Sequence, residues 1–250
     1  MICELVKKQK LADNIYDFTV NCPEMAEKAK PGQFLHILCG GDAYLRRPIS
    51  ICDIIDNKLI RFVFETRGEG TKELAKREKG SKLDILGPLG NGFDIHNDDP
   101  DAVLLIGGGI GVFPLLGLAR AMDKKATVIL GFRNKAAVVM ADEFPLVSKN
   151  VFLTTDDGSC GAHGFVTDTL NNILASNKVS RIYTCGPTPM MQRLSEIAKE
   201  NNIPIQVSLE ERMGCGVGAC VTCTCTVSGK RKRVCKDGPV FDGSEVEWNG

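Results

Sequence analysis

Thiols crowd one end of this chain. The run Cys215-Gly216-Val217-Gly218-Ala219-Cys220-Val221-Thr222-Cys223 spaces three of them as C-x4-C-x2-C, and Cys235 follows further on. That spacing is the plant-type ligand loop of a [2Fe–2S] cluster, which takes its fourth cysteine from another segment. Cluster sulfurs accept hydrogen bonds, so a tight loop must turn its backbone N–H groups inward. Gly216, Gly218 and the small Ala219 let the backbone come that close. Cys225 competes for the fourth place, because two residues after Cys223 it would share that residue's face in a strand. The need for a separate segment favours Cys235, giving Cys215, Cys220, Cys223 and Cys235 as metal ligands. A zinc site with four thiolates is the alternative. Such sites usually show two C-x2-C pairs, and this sequence has one here.

Two further groups of residues could bind dinucleotides. Arg46-Arg47-Pro48-Ile49-Ser50 sets a guanidinium near a hydroxyl at a strand edge. The arginine would neutralise a pyrophosphate and the serine would reach a flavin ring; from this motif alone, an ordinary surface arginine pair before a proline turn is the better reading. Gly68-Glu69-Gly70-Thr71 predicts a helix N-terminus capped by Thr71, with free N–H groups for phosphate. A third glycine turn, Gly87 to Phe93, serves a flavin or merely joins two domains. Gly107-Gly108-Gly109-Ile110-Gly111 follows an apolar strand and opens a helix, the context a dinucleotide loop requires. Val112 stands where the third glycine of the strict pattern belongs, so a ligand-free, close-packed turn stays open. Cys185-Gly186-Pro187 ends another strand at the carboxyl edge of the sheet, where ligands of open α/β sheets bind. Cys185 is placed either to contact a nicotinamide or to be a buried thiol. Arg133 ends the second strand and leaves NAD against NADP open. His36, His96 and His163 lie far apart, and each is read as structural.

The elements that must position these residues change texture along the chain. Up to about residue 99, short strands (Phe34–Cys39, Leu59–Thr66, Lys82–Leu86) predict an antiparallel β-barrel or sandwich, with one short helix over Thr71–Arg77. From 100 to 208, strands at Ala102–Ile106, Thr127–Gly131, Val151–Thr155, Arg181–Cys185 and Ile205–Leu209 alternate with helices at Val112–Met122, Val166–Ala175 and Met190–Glu200. That alternation predicts an open parallel α/β sheet. From 209 to 250 the chain is too small for a core of its own, and a metal centre would supply the missing stability.

Composition narrows the class. The 250 residues carry 31 basic and 31 acidic side chains, and 43% are apolar. That balance points away from nucleic acid. The uncharged run from Ala102 to Ala119 raises a membrane span, but its glycines and Pro114 read better as strand, turn and helix start. No targeting segment is read at the N-terminus. The 11 cysteines are an odd number, so they cannot all pair; outside the cluster, most are read as small buried apolar residues in a reducing compartment.

A flavin barrel followed by a nicotinamide domain resembles the ferredoxin–NADP reductase superfamily, through Arg47 to Ser50, Gly107 to Pro114 and Cys185-Gly186. With the Cys215-to-Cys235 loop added, the chain resembles more closely the electron-transfer subunits of bacterial NAD-dependent dihydroorotate dehydrogenases. The resemblance spans nearly the whole length, and Cys225 is a departure from it. It implies an FAD domain over 1–99, an NAD domain over 100–208 and a [2Fe–2S] subdomain over 209–250. FAD would be held by Arg47, Pro48, Ile49, Ser50, by Val63, Phe64, Glu65 and by Gly70 and Thr71. NAD would be held by Gly107, Gly108, Gly109, Gly111, Cys185, Gly186 and Pro187. It also implies a cytoplasmic partner subunit that carries FMN and oxidises dihydroorotate, two copies of each chain forming a heterotetramer. NAD takes electrons in pairs and a cluster passes them singly, so a flavin must stand between. The second reading keeps these cofactors in another NAD(P)H-linked reductase, ferredoxin- or sulfide-linked. A zinc-bound interaction module is the third.

Overall fold

The computed structural model describes residues 1–41, 44–95, 102–123 and 125–248. His96 and the expected boundary at 99–100 lie outside the described residues. The chain divides into two compact units. One holds Met1–Gly92, Glu210–Cys225 and Arg231–Pro239; the other holds Phe93–Leu209, Thr226–Lys230 and Val240–Gly250.

The first unit is built on a closed six-stranded barrel: β1 (Ile2–Ala12), β2 (Ile15–Asn21), β3 (Phe34–Leu38), β4 (Arg47–Ile55), β5 (Leu59–Glu65) and β6 (Lys82–Leu89), in the order β1-β2-β5-β4-β3-β6. Closure leaves no unpaired sheet edge, and every pairing is antiparallel. The interior is apolar. Phe18, Phe62 and Phe64 meet there, Phe18 edge-on to Phe64 with centroids 5.1 Å apart. Burying side chains of this size contributes about 1.5–3 kcal/mol each. β1 escapes sequence reading because its lysines mask a pattern that buries only Cys3 and Leu5. Cys3 and Cys22 form a disulfide with Cα atoms 5.4 Å apart, which corrects the reading of both as separate thiols.

Two short helices belong to this barrel: α1 (Pro23–Ala26) and α2 (Glu69–Ala75). The expected start of α2 shifts. Gly68 is its N-cap, and Thr71 stands inside the first turn. There the Thr71 hydroxyl accepts from the Arg67 N–H at 3.0 Å and donates to the Gly68 carbonyl at 3.0 Å. Threonine thus closes the turn from within instead of capping it. β6 also runs past Gly87 to Leu89, because Phe34 pairs with Leu89 across a register shift.

The second unit carries a seven-stranded sheet. Its strands are β7 (Val103–Gly108), β8 (Thr127–Phe132), β9 (Asn150–Thr155), β10 (Ala162–His163), β11 (Arg181–Cys185), β12 (Ile205–Ser208) and β15 (Val240–Asp242). They lie in the order β10-β9-β8-β7-β11-β12-β15, all parallel except β15. Central β7 is buried at every residue, as a strand covered on both faces requires. Helix α3 (Phe113–Ala121) packs on β7 and β11, α4 (Val166–Leu174) on β8 and β9, and α5 (Thr188–Glu200) on β11 and β12. The helix expected from Val112 begins as a 3-10 turn over Gly109–Val112, with Pro114 in the first turn of α3. The tail is shared between the units. β13 (Thr224–Val227) and β14 (Lys230–Arg233) form a ribbon, α6 (Val234–Asp237) follows, and β15 joins the sheet beside β12.

Candidate cluster and dinucleotide sites

Backbone N–H groups of the cysteine loop converge on sulfur. Val217, Ala219 and Cys220 donate to Cys215 Sγ at 3.4, 3.2 and 3.4 Å. Gly218 N–H donates to Cys235 Sγ at 3.1 Å, and the Cys235 N–H to Cys223 Sγ at 3.4 Å. The Thr222 hydroxyl reaches Cys220 Sγ at 3.2 Å. Positive φ at Gly216 (+71°) and Gly218 (+82°) is what aims these amides inward, a conformation that costs a residue with a Cβ about 1–2 kcal/mol. Hydrogen bonds from Thr222 and from backbone amides bring the Cys220 thiol down to about 6, and the Cys220 amide heads the groups that lower Cys215. Burial pushes Cys235 up to about 12 and Cys225 up to about 11.

Cys215 and Cys220 influence each other's ionisation, and Cys223 and Cys215 both raise Cys235. Among the described residues, no three His, Cys, Asp or Glu side chains converge on a single point as one metal ion demands. A zinc ion needs four ligands around one centre; two bridged irons need two thiolates each. Four thiols with backbone amides directed at their sulfurs fit the ligand set of a [2Fe–2S] cluster.

The fourth thiol is held by several grips. The Val234 N–H bonds the Cys223 carbonyl at 2.8 Å. Arg233 pairs with Asp237 at 3.1 Å and reaches the Gly218 carbonyl at 3.2 Å. The third glycine turn clasps the same segment: Asn91 N–H bonds the Gly238 carbonyl at 2.6 Å, and its side-chain amide donates to the carbonyls of Lys236 and Asp237. Sequence reading found this turn but not its use.

His36 also stands at the loop. It is 1% exposed on β3, opposite Pro48 of β4, and a Cβ on Gly216 would fall 2.6 Å from its Nδ1. Burial, then the Arg46 charge, holds its pKa below the ordinary histidine value. Nothing in sequence joins His36 to Gly216; only barrel closure and the return of the tail do. His163, on β10, is exposed beside Gly158.

The two neighbouring arginines differ. Arg46 is committed to structure, bonded to the Asp84 carboxylate at 2.7 Å and to the Asp84 carbonyl at 2.8 Å. Among the described residues Arg47 bonds the nearby carbonyls of Leu45 and Arg46, and its guanidinium lies against Gly70, where a Cβ would fall 2.8 Å from Nε. Arg47 and Gly70, distant in sequence, thus share one place. Pro48, Ile49 and Ser50 follow along β4, opposite His36, Leu35 and Phe34. Phe64 points into the core. Val63 is buried outside that core cluster, and Glu65 is tied to Asn14 at 2.7 Å and Arg67 at 2.5 Å.

In the second unit, Gly107 and Cys185 are register partners on β7 and β11. Gly111 packs directly on the Cys185 carbonyl and on Gly186, and a Cβ on Gly108 would fall 2.5 Å from Met190 and 3.0 Å from Pro187. Gly109, at φ +55°, has open space where its Cβ would be. The two predicted nicotinamide segments therefore meet at the carboxyl edge. Cys185 itself is buried at 2% exposure, and Arg133, just after β8, is exposed.

Comparison with known proteins agrees with this geometry. The family described as the iron-sulfur cluster binding domain of dihydroorotate dehydrogenase B matches residues 210–247, and the oxidoreductase NAD-binding domain matches residues 105–196. The dihydroorotate dehydrogenase B (NAD(+)) electron transfer subunit of Geobacillus kaustophilus is 42% identical over 253 residues, covering 97% of this chain and 96% of that protein. A chain of the NADH-dependent reduced ferredoxin-NADP oxidoreductase, solved in a study of flavin-based electron bifurcation, superposes with a TM-score of 0.89 at 37% identity. That match covers 99% of this chain and 90% of the other. A Malassezia yamatoensis flavohemoglobin with bound FAD and heme shares the fold at 21% identity and a TM-score of 0.63, over 81% of this chain and 57% of its own.

Proposed function

This chain belongs to the family of dihydroorotate dehydrogenase B (NAD(+)) electron transfer subunits, and from that premise we propose that it links an FMN-bearing catalytic partner to NAD through a [2Fe–2S] cluster and FAD, in pyrimidine biosynthesis. The observation that carries the reading is the set of amides and one hydroxyl directed at four thiols in a chain that also has a reductase barrel and an NAD-type sheet. FAD supplies the exchange between paired and single electrons. Cys215, Cys220, Cys223 and Cys235 hold the irons. On the barrel, Arg47 would neutralise the FAD pyrophosphate with Gly70 and Thr71, and Pro48, Ile49, Ser50, Val63, Phe64 and Glu65 would form the rest of the flavin's seat. Gly107, Gly108, Gly109 and Gly111 give NAD close approach, with Cys185, Gly186 and Pro187 across from them. The functional division follows the barrel, the sheet and the cysteine tail.

Among the described residues no helix is long and apolar enough to cross a membrane. The family reading supports a cytoplasmic location and two copies of each chain. Dihydroorotate oxidation would belong to the partner, since the sequence shows no candidate base or pocket motif for that substrate. The test is direct. The isolated, loaded chain should reduce artificial acceptors with NADH and should leave dihydroorotate untouched until the FMN partner is added. Turnover of dihydroorotate by the chain alone would overturn the division of labour.

A second reading rests on the 0.89 superposition with the ferredoxin-NADP oxidoreductase chain: the same cofactors could serve a ferredoxin-linked reductase. Co-purification from the native cell separates the two, since one predicts an FMN-bearing partner and the other does not. NADH against NADPH kinetics gives an independent check.

A further inference from the structure

Among the described residues, His36 is the histidine that the tertiary structure brings to the cysteine loop. Its ring is 1% exposed, and neither Nδ1 nor Nε2 has a partner in hydrogen-bond geometry. A buried polar group left without a partner costs about 1–3 kcal/mol, so such a ring in a folded interior calls for a reason. The backbone groups that act on the ring are those of Arg46 on one side and Cys215 on the other. The Cys215 side is the cluster loop, where Gly216 can approach only because it lacks a Cβ. The Arg46 side is the start of the flavin strand, whose guanidinium also donates to the His36 carbonyl at 3.4 Å. One imidazole therefore stands between the segment proposed to hold the irons and the segment proposed to hold FAD.

We propose that His36 is a positioning residue for the [2Fe–2S] cluster: its ring N–H is reserved for the Cys215 end of the loop and fixes how that ligand is presented. The inference rests on the cluster reading above. Groups that hydrogen-bond a ligand from outside fix its orientation and tune the metal, and cluster potentials respond to hydrogen bonding around the sulfurs. Leucine or methionine would fill the site without a donor. His36 would not touch substrate and would carry no electron.

The test uses the full chain loaded with FAD and cluster, comparing His36→Met with His36→Gln. Both should retain wild-type FAD content, because Arg47 and Gly70 are untouched. His36→Met should change the EPR line shape of the dithionite-reduced cluster and shift its one-electron equilibrium about tenfold, equivalent to 59 mV. His36→Gln, which keeps an N–H donor, should return both readouts toward wild type. Wild-type potential and EPR in both variants would overturn the role. Equal shifts in both would overturn it too, since packing alone would then explain them. If His36→Met fails to fold, His36→Asn takes its place: too short to reach the loop, it should shift the potential as Met would, and a wild-type potential in it would sink the proposal. An EPR-silent wild type after dithionite would instead remove the cluster reading itself.

Discussion

Two glycine-rich loops serve this chain for different physical reasons. In the loop from Cys215 to Cys223, Gly216 and Gly218 take positive φ, and what matters is where the amides point: onto Cys215 and Cys235. In the loop from Gly107 to Gly111, most of the glycine requirement is clearance. Gly111 abuts the Cys185 carbonyl, and Gly107 and Gly108 abut Val112 and Met190. A glycine motif in sequence can thus mean a conformation or a contact, and only neighbours distant in sequence tell which. Around a metal the loop directs donors; at a sheet edge it lets two strand ends close together.

The comparison can be broken by substitution. The largest effect is expected for Cys223→Ser, which removes a buried sulfur: iron and acid-labile sulfide should fall to background and the reduced EPR signal should vanish, while FAD stays bound. Retention of a full cluster would defeat the ligand set. Next comes Arg47→Ala. Loss of a charge-assisted contact costs roughly 1.5–3 kcal/mol, so FAD affinity measured by flavin fluorescence should drop by tenfold or more. Arg46→Ala, removing an arginine already bonded to Asp84, should leave FAD affinity nearer wild type and lower barrel stability instead.

Gly111→Ala should cost about 1–3 kcal/mol from overpacking against backbone, read as a lower denaturation midpoint, and should raise KM for NADH. Gly109→Ala, strained in φ but free of neighbours, should cost about 1 kcal/mol. If Gly109→Ala proved the more damaging, clearance would not be what the nicotinamide loop needs. Gly218→Ala meets the flexible Lys236 side chain but puts a Cβ at φ +82°, which costs about 1–2 kcal/mol, so faster cluster loss should come with a modestly lower denaturation midpoint. The smallest effect concerns acid. The Arg46 guanidinium holds the Asp84 carboxyl below its usual 3.8. A depressed folded value means the pair stabilises above the unfolded value and stops doing so as pH falls through the folded one. Since Asp84 is partly exposed, solvent screens much of this; Asp84→Asn should slightly flatten the loss of stability below about pH 4, as followed by thermal melts.

The sequence by itself determined the chemistry. Ligand spacing, the glycine turn after an apolar strand and the alternation of strands with helices are local patterns, set by neighbours a few residues apart. The five sheet strands read from the sequence came out within a residue or two for the same reason, as Arg181–Cys185 shows, while the short β10 and β15 escaped it. Thr71 went astray because a hydroxyl can close a helical turn from inside as well as cap it. Only the tertiary structure decided the rest: that Arg47 meets Gly70, that Asn91 clasps the Cys235 segment, that the tail gives β15 to the sheet, and that His36 lies under Gly216. These contacts join segments separated by tens to hundreds of residues. They arise from closing a barrel and burying its surface, a requirement of the whole chain that no local window of residues contains.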